Sequence, residues 1–105
     1  MDETKEQIIN QAFKFHSQGN IQEATKYYQS FIDQKFKDHR VFYNYGIILK
    51  DLGKLKEAES HYLKAIELKP DFPDVHSNLG IILKDLGKLE EAELYTRKAI
   101  ELNPN

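Results

Sequence analysis

Asparagine recurs at positions 10, 44 and 78, 34 residues apart each time. Each amide carries two donors and an acceptor, so Asn10, Asn44 and Asn78 could hold the N–H and C=O groups of an extended chain without reading its side chains. Asparagine is a mediocre helix former because its amide competes for backbone hydrogen bonds, and three in register on helices ask for a reason. Duplication supplies a competing one: copied repeats keep the residue whether or not it binds. At the same spacing runs an apolar row, Phe13, Ile47 and Ile81, suited to apolar ligand side chains or to half-burial between adjacent helices. A third row, His16, Lys50 and Lys84, is weakly basic and could draw a carboxylate. Asp51 and Asp85 lie beside the lysines and blunt that field, which favours a solvated charge row.

Nothing else in the chain has the spacing of a reactive centre. The histidines do not cluster with carboxylates at metal-ligand intervals, and no nucleophile motif, phosphate-binding glycine loop or zinc signature occurs. Glu57, Glu59, Glu90, Glu91 and Glu93 fall in the first turns of expected helices, where they complement the helix dipole. No catalytic, metal or cofactor site is therefore expected, and the chain reads as non-enzymatic.

The elements that carry these rows come from an internal repeat. Residues 46–55 and 80–89 both read GIILKDLGKL, and aligning 39–71 with 73–105 gives 21 identities in 33 positions. A diverged first copy precedes them, with Gly19, Gly53 and Gly87, and Ala24, Ala58 and Ala92, in register. Apolar residues recur at intervals of three and four, as in Val41, Phe42, Tyr45, Ile48, Leu49 and Leu52, which predicts helices. Glycine at 19, 53 and 87 is suited to the left-handed turn that ends a helix. Pro70 and Pro104 stop helices, and Pro73 fits a first helical turn. Asn20 with Glu23 is close to a capping box. Six helices are expected, over about 3–17, 21–34, 39–52, 55–68, 73–86 and 89–102, paired as three hairpins over 5–38, 39–72 and 73–105 of one domain spanning 1–105. Ala12, Gly46 and Gly80 on the first helices face Ala24, Ala58 and Ala92 on the second, where large side chains would force the pair apart.

Composition narrows the function classes. Of 105 residues, 40% are hydrophobic and 30% charged, a globular balance. A net charge of −2 leaves no basic footprint for nucleic acid and no attraction to an anionic membrane surface. No apolar run approaches the roughly 20 residues of a membrane span. With no cysteine, no apolar signal core near Met1 and no span, an intracellular, cytoplasmic setting is expected.

The chain resembles the tetratricopeptide repeat (TPR) family. The family's pattern over the 34-residue period is carried by Phe42, Tyr45, Gly46, Leu49, Ala58, Tyr62, Ala65 and Pro70 in the second copy. The third copy matches through His76, Leu79, Gly80, Leu83, Ala92, Ala99 and Pro104, with His76 at a packing position. The first copy departs most: Phe31 replaces a small residue, and Phe36 stands where the closing proline is expected. The resemblance implies an all-α, right-handed superhelical solenoid whose first helices line a concave groove. It places Asn10, Phe13, His16, Tyr43, Asn44, Ile47, Lys50, Asn78, Ile81 and Lys84 in that groove, with Ile9 beside them. The run KPDFPDVHSNLGIILKDLGKLEEAE is also similar to the asparagine-ladder repeats of O-linked N-acetylglucosamine transferases. The implied function is that of a non-catalytic protein- or peptide-binding scaffold. The alternatives are a targeting or assembly segment of a larger enzyme such as a glycosyltransferase, or a self-associating array. Clamping of a C-terminal carboxylate, as in chaperone-tail TPR domains, is disfavoured because Asp74 and Asn78 stand where basic residues are needed. No polar capping helix comes after Leu102, so the face bearing Leu94, Ala99, Ile100 and Leu102 is expected to attract another copy or a continuation of the array.

Overall fold

The structure, a computed structural model, describes residues 4–105. Those residues form six helices and no strand: α1 (Lys5–Ser17), α2 (Ile21–Asp33), α3 (His39–Asp51), α4 (Leu55–Leu68), α5 (Pro73–Asp85) and α6 (Leu89–Leu102). The boundaries match the expected ones to within two residues, and the expected start of the first helix at residue 3 lies outside the described residues. Three hairpins, α1/α2, α3/α4 and α5/α6, stack into a solenoid 47 Å long and 25 Å wide.

Each hairpin turns on a glycine in the left-handed region: Gly19, Gly53 and Gly87 have φ of 76°, 79° and 81°. The backbone closes there in the same way each time. Lys54 N donates to Leu49 O at 2.8 Å and Gly53 N to Lys50 O at 2.9 Å, capturing carbonyls the helix leaves unpaired. A tighter start exists at α1, where Thr4 Oγ1 accepts from Gln7 N at 3.2 Å and Gln7 Oε1 accepts from Thr4 N at 2.8 Å. At α2 only half of that arrangement forms, with Asn20 Oδ1 accepting from Glu23 N at 3.3 Å. Pro73 occupies the first turn of α5, as its missing N–H allows.

The small-residue rows sit where the hairpin partners touch. Ala12, Ala24 and Ala58 are fully buried. A methyl group added to Gly46 would lie 2.6 Å from the Tyr62 ring, so α3 and α4 pack at backbone-to-ring distance. Tyr28, Tyr62, Phe31, Leu79, Ile82 and Leu83 fill the interior as one continuous cluster. His76 packs as expected: it is 4% exposed, its Nε2 lies 2.7 Å from Pro70 O, and its ring stacks on Tyr95.

The two departures of the first repeat form a single device. Without a proline, α2 ends in a left-handed turn at Lys35, φ 65°, the one non-glycine residue with positive φ among the described residues. Lys35 N donates to Ile32 O at 2.9 Å and Phe36 N to Phe31 O at 3.3 Å, and the Phe31 and Phe36 rings pack with centroids 5.4 Å apart. That is the apolar contact expected between the ends of such a motif. α2 packs less extensively on α3 than α4 packs on α5, and Phe31 stands where the second repeat has Ala65. Left-handed backbone costs a non-glycine residue roughly 1–2 kcal/mol. Lys35→Gly should therefore raise the unfolding free energy by about 1 kcal/mol, less the extra chain entropy of glycine. Urea denaturation checks this, and a lower midpoint would contradict it.

Candidate functional site

The asparagine row lies on the first-helix side of the solenoid, and the stacking of repeats decides what each amide can do. Asn78 on α5 reaches back to α3: its Nδ2 donates to the Tyr43 hydroxyl at 3.0 Å, and its Oδ1 accepts from Lys50 Nζ at 3.3 Å. Asn44 on α3 is half-buried near the Tyr28 hydroxyl of α2. Asn10 on α1 is exposed. Asn78 thus stitches the third repeat to the second, and it keeps spare capacity, because one of its amide N–H groups and one lone pair of its Oδ1 remain uncommitted.

Beneath this row lie two tyrosines that the repeat pattern marks only as packing residues. The Tyr28 hydroxyl is 2.7 Å from His16 Nδ1, and its ring stacks on Tyr45 with centroids 5.8 Å apart. Burial pushes the Tyr28 hydroxyl above the ordinary tyrosine range, with the nearby Asn44 amide opposing. Burial also lowers His16 below the usual imidazole value, against the opposing pull of Asp51, so this contact joins two neutral groups at neutral pH. In the second repeat Tyr62 occupies the same position, but its hydroxyl is buried without a hydrogen-bond partner. Burial first, then Tyr43 and Asp51, push it above the ordinary range. The signal in the sequence was an aromatic residue repeating at 28 and 62 over the small residues Ala12 and Gly46.

The other expected residues divide by depth. Phe13 is half-buried beneath the Arg40 guanidinium, whose carbon lies 5.3 Å from the ring centroid, and Ile47 is half-buried. Ile81 stands 50% exposed. The apolar row is therefore seam packing at its first two members and open surface at the third. Tyr43 is committed to Asn78 and packs on Phe72 at 4.8 Å between centroids. Lys84 is exposed at the far end, while Lys50 is tied to Asn78. Ile9, expected at the groove, is 1% exposed and belongs to the core, because α1 turns that side chain inward. Arg40 is held by Asp38 at 2.8 Å, which leaves Asp38 below the usual carboxylate range despite the opposing effect of its burial. No three His, Asp or Glu side chains among the described residues are placed to hold a metal ion. No helix among them is long and apolar enough to cross a membrane.

Comparison with known proteins agrees with this architecture. A family described as "TPR repeat" matches residues 46–87, and one described as "Tetratricopeptide repeat" matches residues 73–105. No curated protein sequence matches the chain. Among solved structures, MamA superposes with a TM-score of 0.88 at 18% identity, over 96% of this chain and 59% of that one. PilF of Pseudomonas aeruginosa gives 0.80 at 26% identity, over 97% of this chain and 47% of that one. The second TPR domain of Spaghetti (RPAP3), solved bound to the HSP90 peptide SRMEEVD, gives 0.85 at 24% identity, over 95% and 90%. The chain thus spans only about half to three-fifths of the MamA and PilF structures.

Proposed function

Because residues 46–105 belong to the tetratricopeptide repeat family and the whole chain has its fold, we propose that the protein is a non-catalytic binding module whose first-helix face takes an extended peptide. The observation that supports this reading is the fixed orientation of Asn78, whose amide is anchored by Tyr43 and Lys50 yet retains groups for a ligand backbone, with Asn44 half-buried one repeat earlier in the same row. Anchoring lowers the entropy lost when a ligand binds. Asn10 extends the row by one rung, and Ile81 offers a nearby apolar contact. Asp51 and Asp85 adjoin Lys50 and Lys84 in the chain and offset their charge, so the face suits a near-neutral peptide better than a strongly charged one. The peptide seen in the RPAP3 structure supports the class of ligand, while Asp74 and Asn78 on α5 argue against the same acidic tail here.

An array of immobilised twelve-residue peptides of mixed sequence tests the reading. The strongest binders should lose about tenfold in affinity when Asn44 and Asn78 are both changed to alanine, the loss of two net hydrogen bonds. Unchanged affinity in a folded double variant would remove the row from the binding face.

A second reading rests on α6. Leu89, Leu94 and Ile100 are 64%, 65% and 58% exposed, which suits docking of a further repeat or of another copy. Mass measured by light scattering should rise with concentration on this reading, and a strict monomer would exclude self-association.

A further inference from the structure

A second recess lies on the second-helix side, between α2 and α4, and shares no residue with the first-helix face. Its volume is about 710 Å³, within the range of ligand-binding clefts. Ile32, Phe36, Phe42 and Leu63 supply its apolar lining, and Leu63 is 40% exposed. Around them stand Lys35, Lys37, Lys56 and Lys64, against Glu59 and Glu67. Both acids already have cations: Glu59 meets Lys88 at 3.2 Å and Glu67 meets Lys64 at 3.4 Å. Lys35, Lys37 and Lys56 have no carboxylate within ion-pair distance among the described residues.

The repeat provides its own comparison. At the next seam the positions of Lys37 and Lys56 are taken by Asp71 and Glu90, 34 residues on. Lys35 and Lys64 recur as Lys69 and Lys98, so Lys37 and Lys56 are what make the rim of the first seam positive. The same seam carries Phe31 and the left-handed turn at Lys35, which swings Phe36 into the lining.

We propose that this cleft is a second docking site, and that its occupant is an acidic segment of a partner protein carrying one or two bulky apolar side chains. The apolar residues fill the space over Phe36, Phe42 and Leu63. Flanking aspartates or glutamates meet Lys35, Lys37 and Lys56. Attraction of this kind raises the rate of encounter and excludes basic segments, while the apolar contact supplies most of the hold. This proposal does not depend on peptide binding by the first-helix face.

The probe is a fluorescein-labelled twelve-residue peptide of glutamates with two leucines and a phenylalanine, followed by anisotropy. Binding should fall at least tenfold in Lys37→Glu/Lys56→Glu, which installs the sign of charge found at the second seam on two exposed side chains. It should fall as far when serine replaces the apolar residues of the peptide, and it should weaken as salt rises. The Asn44→Ala/Asn78→Ala variant should bind the probe unchanged. The proposal is overturned by absence of binding. It is equally overturned by loss in the asparagine variant with retention in the lysine variant, or by self-association of the chain that K37E/K56E abolishes. Thermal unfolding of both variants near the parent midpoint certifies that they are folded.

Discussion

Replacing Phe31 by alanine, the residue at the equivalent position of the second repeat, is expected to lower the unfolding free energy by about 3–5 kcal/mol. The change moves the first copy toward the family pattern, so a sequence-based view would expect it to be benign or helpful. The structure argues otherwise. Phe31 is fully buried, and its ring rests on Phe36, the residue that stands in place of the closing proline. Ala65 is buried in the second repeat, where α4 packs more extensively on α5 than α2 does on α3. Removing that ring leaves a cavity that the helices cannot close without breaking the turn at Lys35. A domain of this size has about 5–15 kcal/mol in total, so the loss should be plain in urea denaturation. Phe36→Ala should cost less, since that side chain is only half-buried, and the double variant should lose less than the sum. Strict additivity would show that the two rings do not act together.

The second large effect concerns a single methyl group. Gly46→Ala should destabilise the protein by about 2 kcal/mol, even though alanine gains about 1 kcal/mol over glycine in a helix interior. The added carbon would meet Tyr62 Cε1 at 2.6 Å and Cδ1 at 2.7 Å. The ring cannot easily yield, because it is fully buried and Tyr43 packs against it at 5.9 Å between centroids. In the first repeat Ala12 and Tyr28 form the equivalent pair without penalty. There Ile9 replaces Tyr43, and Tyr28 is drawn toward His16 and Tyr45. Gly80→Ala is the matching control. Its new carbon would meet Thr96 Oγ1 at 2.6 Å and the Ala92 carbonyl oxygen at 3.3 Å; Thr96 is exposed and can rotate, so the change should cost less than at Gly46. Equal losses at the two glycines would mean that the Tyr62 contact is not the cause.

Much of this architecture was legible because it is local or periodic. The apolar spacing within each copy, the glycines at 19, 53 and 87, and Pro73 each act within a turn or two of chain, and the helices begin and end where those residues require. The capping box at Thr4 and Gln7 was equally local and went unread, its pattern being present in the sequence. What could not be read were contacts set by the distance between repeats. Phe31 and Phe36 looked like two separate losses of pattern, and only the turn at Lys35 joins them. The asparagine row suggested free amides, but the bonds from Asn78 to Tyr43 and Lys50 span 35 and 28 residues and depend on how α5 leans on α3. The repeat position also misplaces Ile9, which is buried in the core while Tyr43, its counterpart 34 residues on, is half-buried.

The looser junction behind α2 also governs how the whole rod yields to load. A stack of hairpins bends only where one meets the next, and a junction with less shared surface is the softer spring. With Lys50 and Asn78 strapping the last two hairpins together and less shared surface between the first two, curvature changes should gather between residues 31 and 42. Amide hydrogens of α1 and α2 should then exchange before those of α3 to α5, and a ligand spanning both junctions would stiffen the molecule mainly at that one place.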